Sequence, residues 1–197
     1  MKIYLKTCSL YEVKKTVEYG LIDGICLLTE EGEEKCVAAD NNSESIVSVM
    51  QGPVFVSAKG NNSDELLDDV RQLLRLSPNT VIKVQATLEG FKVCKILAGK
   101  DVSVNVCGLD SITKAIMAAK SGAEFVSFNL SAVQQKSSNN FKVLADTVKL
   151  FHEQKLQTNV LADLSDESID IDQIVATGID GLEISFKGLM DFMGNDS

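Results

Sequence analysis

A lysine interrupts the apolar run TVIKVQAT: Lys83 stands between Ile82 and Val84, with Val81 just before them. Isolating an ammonium group among such neighbours costs on the order of several kcal/mol, so a lysine placed there is paired, neutralised or put to use. In its neutral form a desolvated lysine amine attacks carbonyl carbon and forms a Schiff base, the opening step of class I aldol chemistry. That chemistry also needs an acid or base within reach. Groups of suitable type at strand-like positions are Cys107 in SVNVCGL, Asp163 in NVLADL and Glu183 in GLEISF, with a second cation, Lys6, in KIYLKT. The solitary His152 removes Ser-His-Asp catalysis and most histidine-based metal sites from consideration. Five cysteines (Cys8, Cys26, Cys36, Cys94, Cys107) are scattered, odd in number and without CxxC spacing. Reduced thiols in a cytoplasmic protein suit that pattern better than a zinc site or a disulfide scaffold. Neither a metal nor a cofactor is expected.

The elements that must position these groups are legible along the chain. The 197 residues suit one domain, 1–197, and their 45% hydrophobic and 24% charged content is that of an ordinary globular protein. A net charge of −9 disfavours nucleic acid or an anionic membrane surface as partner. No apolar run approaches the roughly 18 residues that span a bilayer. The opening MKIYLKTCSL carries no apolar signal region, so export is not expected.

Eight β-rich runs alternate with helical patterns: KIYLKT, GICLLT, PVFVSAKG, TVIKVQAT, SVNVCGL, FVSFNLS, NVLADL and GLEISF. SDELLDDVRQLLRL reads as a helix capped by Ser63, with Asp64 and Glu65 in its first turn and Leu66, Val70, Leu73 and Leu74 on one face. SITKAIMAAKSG runs from Ser111 to a terminating Gly122 and is expected to bury Ile112, Ile116 and Ala119. FKVLADTVKLFHEQ offers Phe141, Leu144, Val148 and Phe151, and ESIDIDQIVATG closes at Gly178. Glu30–Ser45 is acidic and turn-rich, a long loop before a short helix. Eight such units predict an α/β fold, a (β/α)8 TIM barrel with a shortened C-terminal helix. The alternative is a doubly wound open sheet, against which no GxGxxG or GxxxxGKS/T turn follows the first strand.

Strand alternation then assigns faces. In a barrel the outward side chains meet helices and are apolar, while inward ones near the C-terminal mouth are free to be polar. Ile82, Val84 and Ala86 face out; Val81, Lys83, Gln85 and Thr87 face in. The same reading puts Tyr4, Lys6, Cys26, Leu28, Phe55, Ser57, Lys59, Asn105, Cys107, Asn129, Ser131, Asp163, Glu183 and Ser185 inside. Two arrangements of Lys83 compete. In one, burial and the Lys6 ammonium lower its pKa and leave reactive amine. In the other, Lys83 stays charged and pairs with Glu183 or Asp163, Lys6 taking the other carboxylate.

These residues resemble a known family. VIKVQATLEGFKVCKIL is similar to the strand-four motif VVKVP-T-EGLKA-K-L of the small transaldolases and fructose-6-phosphate aldolases, class I aldolases of (β/α)8 fold. VNV with AIMAAKSGAEFVS looks like the unit that follows, and MKIYLKTCSLYEVKKTVEYGLIDGI like the family's opening, so the likeness runs from Met1 to about Met193. It implies carbohydrate metabolism of the pentose phosphate type, with Lys83 as the Schiff-base residue and Lys6, Leu28, Ser57, Cys107 and Asn129 at substrate-binding positions, to which strand alternation adds Asn105. The departures are extensive. Lys6 replaces the family's strand-one aspartate. Leu28 stands for the asparagine of its TTNP turn, Ser57 for an acidic or amide residue, and Cys107 for a threonine. Its tyrosine and arginine after strand six fall on Asn129 and Ala132, and its phosphate-binding serine and basic residue on Leu164 and Asp166. Its C-terminal helix, used in oligomer contacts, is missing.

Three functions follow as expectations. One is an aldolase or transaldolase-type enzyme acting through Lys83 on a sugar, sugar phosphate or small carbonyl compound, with Glu183, Asp163 or the Cys107 thiol moving protons. Another is a catalytically degenerate barrel in which an ion-paired Lys83 serves binding of a small molecule or partner. A third is anion binding at the mouth by Lys6, Lys59 and Lys83, with Lys187 and Gly188 after strand eight. Neither nucleic acid nor membrane is an expected partner, and a homo-oligomer stays open. Plainer readings apply elsewhere: His152 and Lys187 as surface residues, Cys107 as a small buried hydrophobe, GLMDFMG as a packing helix and EEGEE as a solvated loop.

Overall fold

The computed structural model describes residues 1–28, 42–130, 140–164 and 170–192. Eight parallel strands close into a barrel in chain order. They are β1 (Lys2–Thr7), β2 (Gly24–Leu27), β3 (Val54–Ser57), β4 (Thr80–Gln85), β5 (Val104–Leu109), β6 (Phe125–Asn129), β7 (Asn159–Asp163) and β8 (Gly181–Ser185). Among the described residues the helices are α1 (Leu10–Glu18), α2 (Asn42–Val49), α3 (Ser63–Leu73), α4 (Leu88–Ala98), α5 (Ile112–Ser121), α6 (Asn140–Glu153), α7 (Ile171–Val175) and α8 (Phe186–Phe192). The α/β barrel read from the strand and helix periods is the observed architecture. No helix among the described residues is long and apolar enough to cross a membrane. Most of the acidic Glu30–Ser45 loop, Ser131, Ala132 and Asp166 lie outside the described residues.

Each strand buries both faces, in two different cores. Its outward residues (Leu5, Ile25, Val56, Ile82, Val84, Val106, Val126, Ala162, Ile184 and their neighbours) pack against the helices in one continuous apolar shell. Inside, Tyr4, Cys26, Phe55, Val81, Phe125 and Leu161 form a separate apolar plug. Its aromatic rings meet edge to face, Tyr4 on Phe55 at 4.8 Å and Phe55 on Phe125 at 5.1 Å between centroids. β8 supplies Gly181 at this level because a Cβ there would lie 2.8 Å from the Tyr4 ring. Two residues further along the strands the interior turns polar, which places the site directly on a dry floor.

Several local expectations are corrected. The cap of α3 is Asn62, whose Oδ1 accepts from Asp64 N and Glu65 N at 3.1 and 3.0 Å. Ser63 is occupied instead by α4: its backbone N–H donates to Glu89 and its hydroxyl accepts from Lys92. In α5 the fully buried face centres on Ala115 and Ala118, with Ile112, Ile116 and Ala119 half-buried beside it. Two alanines there let the helix approach the sheet closely. α5 does run from a Ser111 cap to a left-handed Gly122. Inward parity stops where the strands stop. Thr87 turns away to cap α4, accepting from Gly90 N at 3.1 Å, and Lys59 is exposed beyond β3. Cys8 is disulfide-bonded, against the expectation that all five thiols are reduced, while Cys26, Cys94 and Cys107 are free and buried.

Candidate active site

The strand registers bring the polar inward residues to one level. Lys83 pairs in register with Ser57 on β3 and Asn105 on β5, and Glu183 with Tyr4 on β1 and Asp163 on β7. Across the barrel, Lys83 Nζ lies 2.5 Å from Glu183 Oε2. The Glu183 side chain is 0% exposed and that of Lys83 11%. A second ion pair joins Lys6 Nζ to Asp163 Oδ1 at 2.6 Å, with side-chain exposures of 16% and 17%. Of the two arrangements for Lys83 the structure has the second, with each cation on its own carboxylate. Chain geometry decides this: β8 neighbours β1 and carries Glu183 inward across from β4, while β7 brings Asp163 to Lys6.

The other oxygen of Glu183 is held as well. Ser127 Oγ donates to Glu183 Oε1 at 2.6 Å, and Asn105 Nδ2 reaches the same oxygen at 3.3 Å and Ser127 Oγ at 2.8 Å. Asn105, Ser127 and Glu183 are all fully buried. Ser127 was not among the inward residues read from the chain, yet its signal was present. It is a hydroxyl in the apolar strand FVSFN, two residues before the inward Asn129.

The charges follow from this geometry. Burial favours neutral Lys83, but the Glu183 carboxylate in contact with it outweighs that effect, and the pKa rises above the ordinary lysine value. The expectation of a lowered pKa is therefore corrected for the resting site. Burial likewise works against the Glu183 carboxylate; Lys83 and the Ser127 hydroxyl overcome it and bring the pKa below the usual value. Around the pair the weak acids stay protonated. Burial pushes Cys107 up to about 11, Cys26 well above its ordinary value, and Tyr4 up to about 12. Cys107 sits where the β5–β6 register shifts, its Sγ donating to Val84 O at 3.4 Å. A buried, protonated thiol with that bond is a poor proton carrier at neutral pH.

The remaining sequence-identified positions lie further along the strands or beyond their ends. Ser57 and Asn129 are half-buried at the ends of β3 and β6, Asn129 in register with Asp163. Leu28 is half-buried just past β2. Ser185 Oγ accepts from Gly188 N at 3.0 Å and so starts α8. Lys187 lies 3.9 Å from Asp191 at the surface, and His152 is exposed near the end of α6, 3.9 Å from Asp180. Among the described residues no group of three His, Cys, Asp or Glu side chains is gathered to hold a metal ion.

Comparison of the sequence with known proteins places this barrel in a family. The family model described as Transaldolase/Fructose-6-phosphate aldolase matches residues 30–187. The chain belongs to the transaldolase/fructose-6-phosphate aldolase family. Curated relatives named "Probable transaldolase" agree in extent. That of Kosmotoga olearia is 31% identical over 190 residues, covering 96% of this chain and 87% of the relative. Those of Herpetosiphon aurantiacus and Dictyoglomus turgidum are 30% and 27% identical, covering 98% and 96% of this chain and 87% and 89% of the relatives. Membership of this transaldolase family supports a transaldolase- or aldolase-like function. The Lys83–Glu183 pair lies in its barrel, one layer above the plug.

Proposed function

We propose that this protein is a class I aldolase or transaldolase-type enzyme in which Lys83 forms a Schiff base with a sugar or small carbonyl substrate. The observation that carries the reading is the contact of Lys83 Nζ with Glu183 Oε2, inside the barrel and at the lysine of the strand-four motif. The resting pair is ammonium and carboxylate. Both partners are desolvated, so transfer of one proton from Nζ to Oε2 removes two buried charges at once and leaves a free amine. The amine lone pair then bonds to the carbonyl carbon while the π electrons move to oxygen, which takes up a proton. Loss of water from that carbinolamine yields the iminium. The iminium draws electrons from the bond between its α- and β-carbons as the hydroxyl on the β-carbon gives up its proton, and cleavage releases an aldehyde and leaves an enamine on Lys83. Glu183 is placed to take and return the protons of the amine, and Asp163 and Lys6 lie at the same level to meet hydroxyl groups.

The ion pair favours a second reading as well, in which Lys83 never loses its proton and the barrel only binds. Trapping separates the two. Incubation with dihydroxyacetone, its phosphate or fructose 6-phosphate, followed by borohydride reduction and peptide mass mapping, is expected to place an adduct on Lys83 that vanishes in Lys83→Met. A folded wild-type protein that takes no adduct from any of the three donors refutes the enzymatic reading.

A further inference from the structure

Of the buried polar groups around the ion pair, the Ser127 hydroxyl has one proton and two acceptors. Glu183 Oε1 lies 2.6 Å away and Asn105 Oδ1 3.1 Å away. These three side chains come from β5, β6 and β8, and none is reached by solvent. While Glu183 is a carboxylate, the charge-assisted bond is the stronger and the proton points to Oε1. Once Glu183 takes the proton of Lys83 on Oε2, Oε1 becomes a neutral and weaker acceptor. The hydroxyl then has Asn105 Oδ1 to turn to, and Asn105 Nδ2 goes on donating to Ser127 Oγ at 2.8 Å. No buried donor is orphaned in either state, so the transferred proton does not meet the desolvation penalty of an unpaired hydroxyl. We propose that Ser127, backed by Asn105, is a positioning residue: it aims Oε2 of Glu183 at Lys83, and its hydroxyl switches acceptor as the proton passes between them.

The proposal rests on the reading of Glu183 as the base for Lys83 and adds to it the device that sets the proton affinity of Glu183. Other groups that face Glu183 do not compete for that role. Tyr4 from β1, Cys26 from β2 and Cys107 from β5 stay protonated, each held up by burial. Lys6 from β1, paired with Asp163 from β7 at 2.6 Å, adds a smaller favourable field on the Glu183 carboxylate and is present in every variant compared below. Lys83 from β4 and the Ser127 hydroxyl are the groups in hydrogen-bond contact with Glu183 that hold its pKa down.

The test uses the full chain and does not depend on turnover. In a Lys83→Met background the contact cation is gone, and burial moves the Glu183 titration upward into an accessible range. Carbon NMR of labelled glutamate carboxyls, with the signal assigned by Glu183→Gln, reads its midpoint. Adding Ser127→Ala is expected to raise that midpoint by about one pH unit, the size of one hydrogen bond to a charged group. Ser127→Thr, which keeps the hydroxyl, is expected to restore most of the shift. A midpoint that Ser127→Ala leaves in place overturns the proposal. With Lys83 present, the same Ser127→Ala change is expected to move the acid limb of the borohydride-trapping rate upward by a similar amount, whereas a packing defect lowers the rate at every pH. If wild type traps substrate and neither reading moves, this proposal alone falls. If wild type fails to trap, the catalytic reading falls, and the NMR midpoint still decides whether Ser127 governs Glu183.

Discussion

Removing the Lys83 ammonium leaves a carboxylate with no solvent and no cation in contact with it, and the result depends on pH. Glu183 is 0% exposed and its partner lies at 2.5 Å, so Lys83→Met strands it among Ser127, Asn105 and the apolar plug. Breaking such a pair from one side costs about 3–5 kcal/mol when the remaining group stays charged. For a chain of this size that corresponds to a fall in Tm of about 6–20 °C. In the wild type, the lowered pKa of Glu183 contributes stability above the ordinary carboxylate range, lost only as pH falls through the folded value. The raised pKa of Lys83 contributes stability below the ordinary lysine range, lost only as pH rises through its folded value. Between those limits the wild-type pair is insensitive to pH. In Lys83→Met, burial drives the Glu183 pKa above its unfolded value of about 4.3, so the native state holds a proton that the unfolded state releases. Stability of the variant then falls as pH rises, by about 1.4 kcal/mol per unit, until the raised pKa is passed. Urea melts of wild type and Lys83→Met at pH 5, 6, 7 and 8 measure this directly. The deficit is expected to be small at pH 5 and to approach its full size at pH 8. Adding Glu183→Gln is expected to abolish the pH slope and recover much of the loss. A deficit below about 1 kcal/mol at pH 8, against the 3–5 expected, or one that is flat across the series, refutes the argument that these two charges are buried against one another.

Three other outcomes follow from the same structure. Phe55→Ala, which removes the ring between Tyr4 and Phe125, is expected to cost about 3–5 kcal/mol in denaturant melts and to slow trapping at Lys83 by loosening the floor beneath it. Gly90→Ala puts a methyl group 2.0 Å from the carbonyl oxygen of Gln85, so the β4–α4 turn must open; loss of soluble folded protein, or of several kcal/mol, is expected by circular dichroism and melting. Cys26, Cys94 and Cys107 are buried with raised thiol pKa values, and peptide mapping after iodoacetamide at pH 8 is expected to find them unmodified until denaturant is added.

The alternation of residue types was enough to set the architecture. Eight runs with apolar outward positions, most of them followed by a helix-period segment, leave few ways to close the sheet, and β1 and the inward Val81 and Lys83 of β4 fall where the chain predicts. The level at which polarity begins was also legible, since Tyr4, Phe55, Val81, Phe125 and Leu161 precede Lys6, Ser57, Lys83, Ser127 and Asp163 by two residues each. Period-two and period-three-six patterns are local, so a linear chain displays them. What it does not display is which inward groups touch. Whether Lys83 meets Glu183 or Asp163 depends on strand stagger around a closed circle and on residues 100 positions apart. The sign of the Lys83 pKa shift hangs on that choice, because burial and a contact carboxylate push it in opposite directions. Ser127 shows the same limit: its hydroxyl is plain in FVSFN, but its pairing with Glu183 and Asn105 exists only once three strands converge. The chain by itself determined a barrel with a lysine aimed inward, and tertiary closure alone decided that the lysine arrives already holding a buried carboxylate.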